Sequence, residues 1–174
     1  ARSLGFDNIN MDLIVGLPGE EKPEVEHTLR EVAALNPDSI TVHSLAVKRA
    51  ARLNMFRDQY KEMTFTNNQE IMDMAYSYAV QAGMSPYYLY RQKNMAGNLE
   101  NVGYAREGKA GIYNILIMEE KQSILALGAG ASTKVVRCAD RIDRIENVKD
   151  IKNYIERIDE MIERKRQGFL KYGK

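Results

Sequence analysis

The apolar positions change period twice within the first 47 residues. Residues 8–15, NINMDLIV, form a short, mostly apolar run with a β-branched end, which predicts a strand. GLPGE breaks it. Val25, Leu29 and Val32 then recur at helical spacing and predict an amphipathic helix over 23–35. Pro23 suits its first position, and Glu24 and Glu26 complement the N-terminal dipole. Asn36-Pro37 stops the helix, because the residue before proline disfavours the α conformation. A second β-branched run, SITVHSLAV, follows over 39–47. Strand, helix and strand joined by short turns make a βαβ unit, whose strands normally lie parallel.

Residues 48–63 carry no clear period. Thr66 and Gln69 have the spacing of a capping box. The apolar stripe behind them, Ile71, Ala75, Tyr78, Ala79 and Ala82, predicts a helix that Gly83 closes. Beyond it the stretches 87–91, 111–118, 123–132 and 133–137 read as strands, with Glu119-Glu120-Lys121 as a turn. A last helix is expected over about 148–166, carrying Ile151, Tyr154, Ile155, Ile158 and Met161 on one face, with Gly168 beyond its end. The organisation changes near residue 48, from an α/β crossover to a helix, antiparallel strands and a helix. Two domains are expected, 1–48 and 49–174.

Composition adds exclusions. With 44% hydrophobic and 28% charged residues in 174, the chain is ordinary for a globular protein. A formal charge of +1 gives no global field for nucleic acid or membrane surfaces. No apolar run approaches the ~20 residues that span a bilayer. Cys138 is the single cysteine, so no internal disulfide forms and a reducing, cytoplasmic setting is expected. The N-terminus, ARSLGFDNIN, has neither an initiator Met nor a signal-peptide layout and reads as the tail of a helix entering a strand. The chain is expected to be a piece of something longer.

Asp12 stands inside the first apolar strand, towards the end where α/β proteins place ligands. A carboxylate there binds a ligand or is satisfied by polar neighbours, and both readings are open. The glycines of GLPG could offer backbone N–H groups to an anion, or simply turn the chain. His43 has no partner at metal-ligand or triad spacing and reads as a rim histidine. Lys48, Arg49 and Arg52 follow the second strand, and Arg91 and Lys93 flank a tyrosine-rich stretch. They make a solvated face or partners for a substrate with several carboxylates, which Arg grips in a bidentate fork. Residues 87–104 read as a long polar loop, uncommon inside compact domains unless functional or mobile. In LALGAGAST, 125–133, the glycines among small residues mark a close backbone approach, by a ligand or by another strand. No HExxH, P-loop, GxSxG or CxxC is present.

Three segments taken together go further. NINMDLIVGLPGE (8–20), NPDSITVHSLAVK (36–48) and ALGAGAS (126–132) resemble the radical S-adenosylmethionine proteins of the oxygen-independent coproporphyrinogen III oxidase family. The block YYLYRQKNMAGNLENVGYA (87–105) looks most like the family's HemZ-type branch. The resemblance implies an α/β fold, the last βα units of a partial (β/α)6 barrel followed by a small α+β C-terminal domain. It implies that Asp12 contacts S-adenosylmethionine, that Ile14 packs near its adenine, and that Ala46 lines the same region. The family's CxxxCxxC motif for a [4Fe–4S] cluster is absent, so no metal ligand is assigned here and the chain alone is expected to be inactive. No catalytic residue is assigned. The family's chemistry generates a deoxyadenosyl radical that abstracts hydrogen from a propionate, with decarboxylation to a vinyl group. Arg49, Arg52 and Arg91 are the expected propionate partners, on charge and position. The implied partners are a porphyrinogen and an electron donor. Two rival readings are a haem-carrying relative, with His43 to watch as an axial ligand, and a radical enzyme with another substrate. A third is that residues 48–174 serve only as a docking or lid domain.

Overall fold

The structure, a computed structural model, describes residues 1–46, 55, 58, 67–91, 99–138 and 141–172, with the backbone alone at 138 and 172. It divides into two compact units, Ala1–Gly111 and Ile112–Lys174. The boundary expected at residue 48 falls among residues outside that description.

The first unit is built on a four-stranded sheet. Strand β1 (Asn10–Val15), helix α1 (Lys22–Ala34) and strand β2 (Ser39–Ser44) form the expected βαβ unit, and β1 pairs with β2 in parallel. Helix α2 (Gln69–Gln81) leads into β3 (Ser85–Tyr90), and β4 (Asn101–Ala105) lies between β3 and β2, antiparallel to both. The stretch read as one long loop over 87–104 is therefore a hairpin whose two ends are strands. The period-2 pattern of Val102 and Tyr104 is too short, and too interrupted by glycine, to stand out from a polar background.

Helix α1 starts with a reciprocal cap: the Glu21 side chain accepts from the Glu24 backbone, and the Glu24 side chain accepts from the Glu21 N–H at 3.0 Å. Val25, Leu29 and Val32 are its buried stripe, as the spacing predicts. Helix α2 is capped by Asn68, whose side chain accepts from the Ile71 N–H at 3.0 Å. Thr66, the cap expected from the sequence, lies outside the described residues. Gly83 closes α2 in the left-handed conformation, with its N–H on Val80 and that of Met84 on Ala79, so two end carbonyls are satisfied. Both helices bury their stripes against Leu13, Val15, Ile40, Val42 and Tyr104 in one core. Since side chains alternate along a strand, Asn10, Asp12, Ile14, Ser39, Thr41 and His43 face the other way, onto a side of the sheet that these helices leave open.

In the second unit, α3 (Ile112–Met118) replaces a predicted strand. A run of alternating isoleucines is compatible with either element, and here Glu120 decides it by taking φ 52°. With the Lys121 N–H on Leu116 and the Glu120 N–H on Ile117, residues 119–121 close a helix, where the sequence suggests a turn between strands. Residues 123–131 are irregular apart from one bridge, Ile124 to Lys134. The hairpin β5 (Ser132–Cys138) and β6 (Arg141–Glu146) follows, and β6 has no counterpart among the predicted strands. The expected last helix is two, α4 (Ile151–Glu156) and α5 (Ile158–Tyr172), parted at Arg157. Of the residues expected on one face, Met161 is buried, while Ile151, Ile155 and Ile158 are exposed. Gly168 lies inside α5, where it packs against Ile145 of β6.

Candidate functional site

The open side of the four-stranded sheet gathers the chemistry of the first unit. Register sets Asp12 beside Thr41, Thr41 beside Gly103, and Gly103 beside Tyr88. One pleat further on, Ile14 stands beside His43, and Tyr90 projects from β3 on the same side. Asp12 is not enclosed: its side chain is 65% exposed and accepts a 2.7 Å hydrogen bond from the Asn10 amide. Ile14 is 50% exposed, an apolar surface next to that carboxylate. Ala46 forms an isolated bridge just past β2, where the Leu45 N–H donates to the Val15 carbonyl at 3.0 Å.

His43 sits between side chains of β1 and β3. Its Nδ1 lies 3.2 Å from the Tyr90 hydroxyl, and its Nε2 lies 3.9 Å from Asp12 Oδ1. The rings of Tyr88 and Tyr90 are parallel within 4°, with centroids 6.2 Å apart, and Tyr87 meets Tyr88 edge-on at 4.7 Å. Tyr88 reaches Thr41 Oγ1 at 3.5 Å. Partial burial is the main cause that pushes its phenol above the ordinary value; the Thr41 bond opposes this, while Tyr87, Tyr90 and Asp12 add to it. These partners of His43 are 31 and 47 residues away along the chain. The sequence holds one usable hint, the alternation Tyr88-Leu89-Tyr90, which at strand period puts both phenols on one face.

Other expected residues sit elsewhere. Arg91 pairs with Glu100 at 3.1 Å and lines a cleft of about 320 Å³ with Gln69, Asp73, Tyr76 and Tyr104, on the side of the sheet that α2 covers. The structure thus does not bring Arg91 together with Asp12 and Ile14. Arg49 and Arg52 lie outside the described residues, as do Lys48 and Lys93. Two backbone N–H groups of the Gly-Leu-Pro-Gly turn are already engaged: Glu20 Oε2 accepts from Gly16 at 3.1 Å and from Leu17 at 3.3 Å. The anion held by this turn is the chain's own carboxylate. The glycines of 125–133 likewise have a partner within the chain. Gly128 donates to the Tyr154 hydroxyl at 3.1 Å and accepts from the Asn147 amide at 2.7 Å, with φ 103°.

Among the described residues no group of three or more His, Cys, Asp or Glu is placed to hold a metal ion. No helix among them is long and apolar enough to cross a membrane.

No family model matches the chain. Over 166 residues it is 45% identical to the oxygen-independent coproporphyrinogen-III oxidase-like protein HemZ of Bacillus subtilis, covering 95% of this chain and 33% of that protein. It is 25% identical over 162 residues to the oxygen-independent coproporphyrinogen III oxidase of Escherichia coli, covering 92% of this chain and 34% of the relative. The solved structure of the E. coli coproporphyrinogen III oxidase HemN, described as a radical SAM enzyme, superposes with a TM-score of 0.62 at 22% identity, over 92% of this chain and 36% of that one. At that identity the likeness shows the fold: an α/β arrangement matching the C-terminal part of the radical SAM fold. The chain spans about a third of the length of the curated relatives it matches. It belongs to the family of HemZ- and HemN-type oxygen-independent coproporphyrinogen III oxidase homologues, and corresponds to their C-terminal portion.

Proposed function

We propose that this chain is the C-terminal portion of a radical S-adenosylmethionine oxidoreductase of porphyrin biosynthesis, which oxidatively decarboxylates two propionates of coproporphyrinogen III to vinyl groups, giving protoporphyrinogen IX. The observation that carries this reading is the 45% identity to HemZ across 95% of the chain. The open sheet face supports it. The residues present fit S-adenosylmethionine: Asp12 offers an accessible acceptor for a hydroxyl or amine, and exposed Ile14 offers an apolar wall for a ring. They do not fit the [4Fe–4S] cluster, for which one cysteine supplies too few thiolates.

When bound, S-adenosylmethionine supplies the hydrogen abstraction that opens such a reaction. The chain's own residues bind and orient. Asp12 would accept from the cofactor, Ile14 would offer apolar surface to its base, and Ala46 would line the same region. Arg91, on the other side of the sheet from Asp12 and Ile14, pairs with Glu100 and would exchange it only for a propionate lying away from the cofactor residues. Arg49 and Arg52 are further propionate partners on the strength of charge and position after β2. In this reading residues 1–48 supply the barrel's last two strands and 49–174 the C-terminal domain, whose β3 and β4 extend the same sheet within the unit Ala1–Gly111. It also calls for an electron donor and a cytoplasmic setting, in keeping with a single cysteine.

The test is anaerobic turnover by the full-length protein with its cluster reconstituted, given coproporphyrinogen III, S-adenosylmethionine and a reductant. Protoporphyrinogen and 5′-deoxyadenosine should appear together, and Asp12→Ala should lower both by at least tenfold. Deoxyadenosine without protoporphyrinogen would move the reading to a different substrate. Neither product from a folded, cluster-loaded protein would overturn it.

A further inference from the structure

His43 stands between a phenol and a carboxylate. On one side the Tyr90 hydroxyl lies 3.2 Å from Nδ1. A phenol both donates and accepts, so the contact fits either tautomer; where Tyr90 donates to Nδ1, the proton of a neutral imidazole is on Nε2. On the other side Nε2 lies 3.9 Å from Asp12 Oδ1, too far for a direct hydrogen bond. A donor and an acceptor at that separation can share one oxygen seated about 2.8 Å from each. With the proton on Nε2, that oxygen accepts from Nε2–H and donates to the carboxylate. An ammonium only donates and a carboxylate only accepts, whereas a hydroxyl does both. Ile14, the register neighbour of His43, supplies apolar surface beside the gap.

We propose that His43 Nε2–H and the Asp12 carboxylate together bind a hydroxyl group of the ligand, with Tyr90 as the positioning residue that sets the imidazole tautomer. The ligand class is a sugar-bearing nucleoside, and the hydroxyl is a ribosyl hydroxyl of S-adenosylmethionine, so the inference rests on the cofactor reading above. It adds to that reading a donor that the sequence alone leaves as a rim histidine.

The experiment uses the full-length protein, with the His43 imidazole signals assigned as those lost in His43→Phe; the other histidine of this chain, His27, is on α1 within 3.3 Å of Arg30. Nitrogen-15 NMR of the imidazoles reads the tautomer of His43 directly. S-adenosylhomocysteine, which keeps the ribose, and adenine, which lacks it, are titrated to millimolar concentration. The proposal expects His43 protonated on Nε2, with Tyr90→Phe shifting the tautomer balance in a folded chain. S-adenosylhomocysteine should perturb Nε2, and His43→Phe should weaken its binding by about 2- to 10-fold, the worth of one hydrogen bond. His43→Gln, which keeps an N–H donor, should recover part of that loss, and adenine binding should be unmoved by either change. S-adenosylhomocysteine binding that Asp12→Asn weakens and His43→Phe does not would overturn the hydroxyl site while leaving the cofactor reading intact; the gap would then hold only water. A His43 protonated on Nδ1 would overturn the role of Tyr90. No binding of S-adenosylhomocysteine to the wild type would overturn the cofactor reading and this inference with it.

Discussion

Gly103 of β4 lies directly beneath the ring of Tyr88 on β3: a Cβ at position 103 would fall 2.9 Å from Tyr88 Cζ and nearer still to the ring edge. The missing side chain lets an aromatic ring lie across the middle of the sheet, where its hydroxyl reaches Thr41 and its face runs parallel to Tyr90. Gly103→Ala should lift the ring, break the Thr41 bond and misplace the phenols of the open face. Overpacking of this kind costs about 1–3 kcal/mol. In urea unfolding of the chain the single substitution should lower stability within that range, and Gly103→Ala should cost at least ~1 kcal/mol less in a Tyr88→Ala background. Equal costs in both backgrounds would mean that the ring and the glycine are not coupled.

The second unit has a similar contact between a helix and a strand. Gly168 sits inside α5, and a Cβ there would fall 2.9 Å from Ile145 Cγ1 on β6. Ordinarily Gly→Ala in a helix interior stabilises by about 0.8–1 kcal/mol. Here the collision should reverse the sign, for a net loss of ~1 kcal/mol in thermal or urea unfolding. Shortening the strand residue first, as Ile145→Ala, should restore the ordinary gain from Gly168→Ala. A gain in the wild-type background would show that Ile145 can swing aside at no cost.

These two glycines show where the sequence is legible and where it is not. The βαβ unit was readable because each of its parts carries a local signal: the β-branched ends of the strands, the Val25-Leu29-Val32 stripe and the Asn36-Pro37 stop. Strand β4 was hidden because Asn101–Ala105 is short, contains glycine, and draws its meaning from β2 and β3 on either side. Residues 112–118 misled because a seven-residue apolar run fits a strand or a helix equally, and the choice falls to Glu120 in a left-handed conformation that it seldom adopts. The candidate site divides the same way. Asp12 and Ile14 could be singled out from one strand and the resemblance it carries. Tyr90 and His43 could be joined only by a register between strands that the chain order separates.

Asp38 gives the first unit an acid limit with a defined sign. Buried at the start of β2, its carboxylate accepts from the Ile9 N–H at 2.8 Å and pairs with Arg2 at 2.6 Å. The Ile9 bond is the main cause that holds it below the usual carboxylate range; burial opposes this, and Arg2 and Lys109 reinforce it. A group whose folded value is depressed binds its proton more readily in the unfolded chain. Its stabilisation is therefore complete above the unfolded value of about 3.9 and is lost as pH falls through the lower folded value. Asp38→Asn keeps an oxygen for Ile9 but removes the charge that Arg2 meets, so it should be the less stable form at neutral pH. Urea unfolding of both proteins between pH 7 and pH 2.5 should show that difference constant above about pH 5 and shrinking steadily below about pH 4. A difference that stays the same down to the acid end would mean that the carboxylate of Asp38 is not the group that ties the entry of β1 to the start of β2.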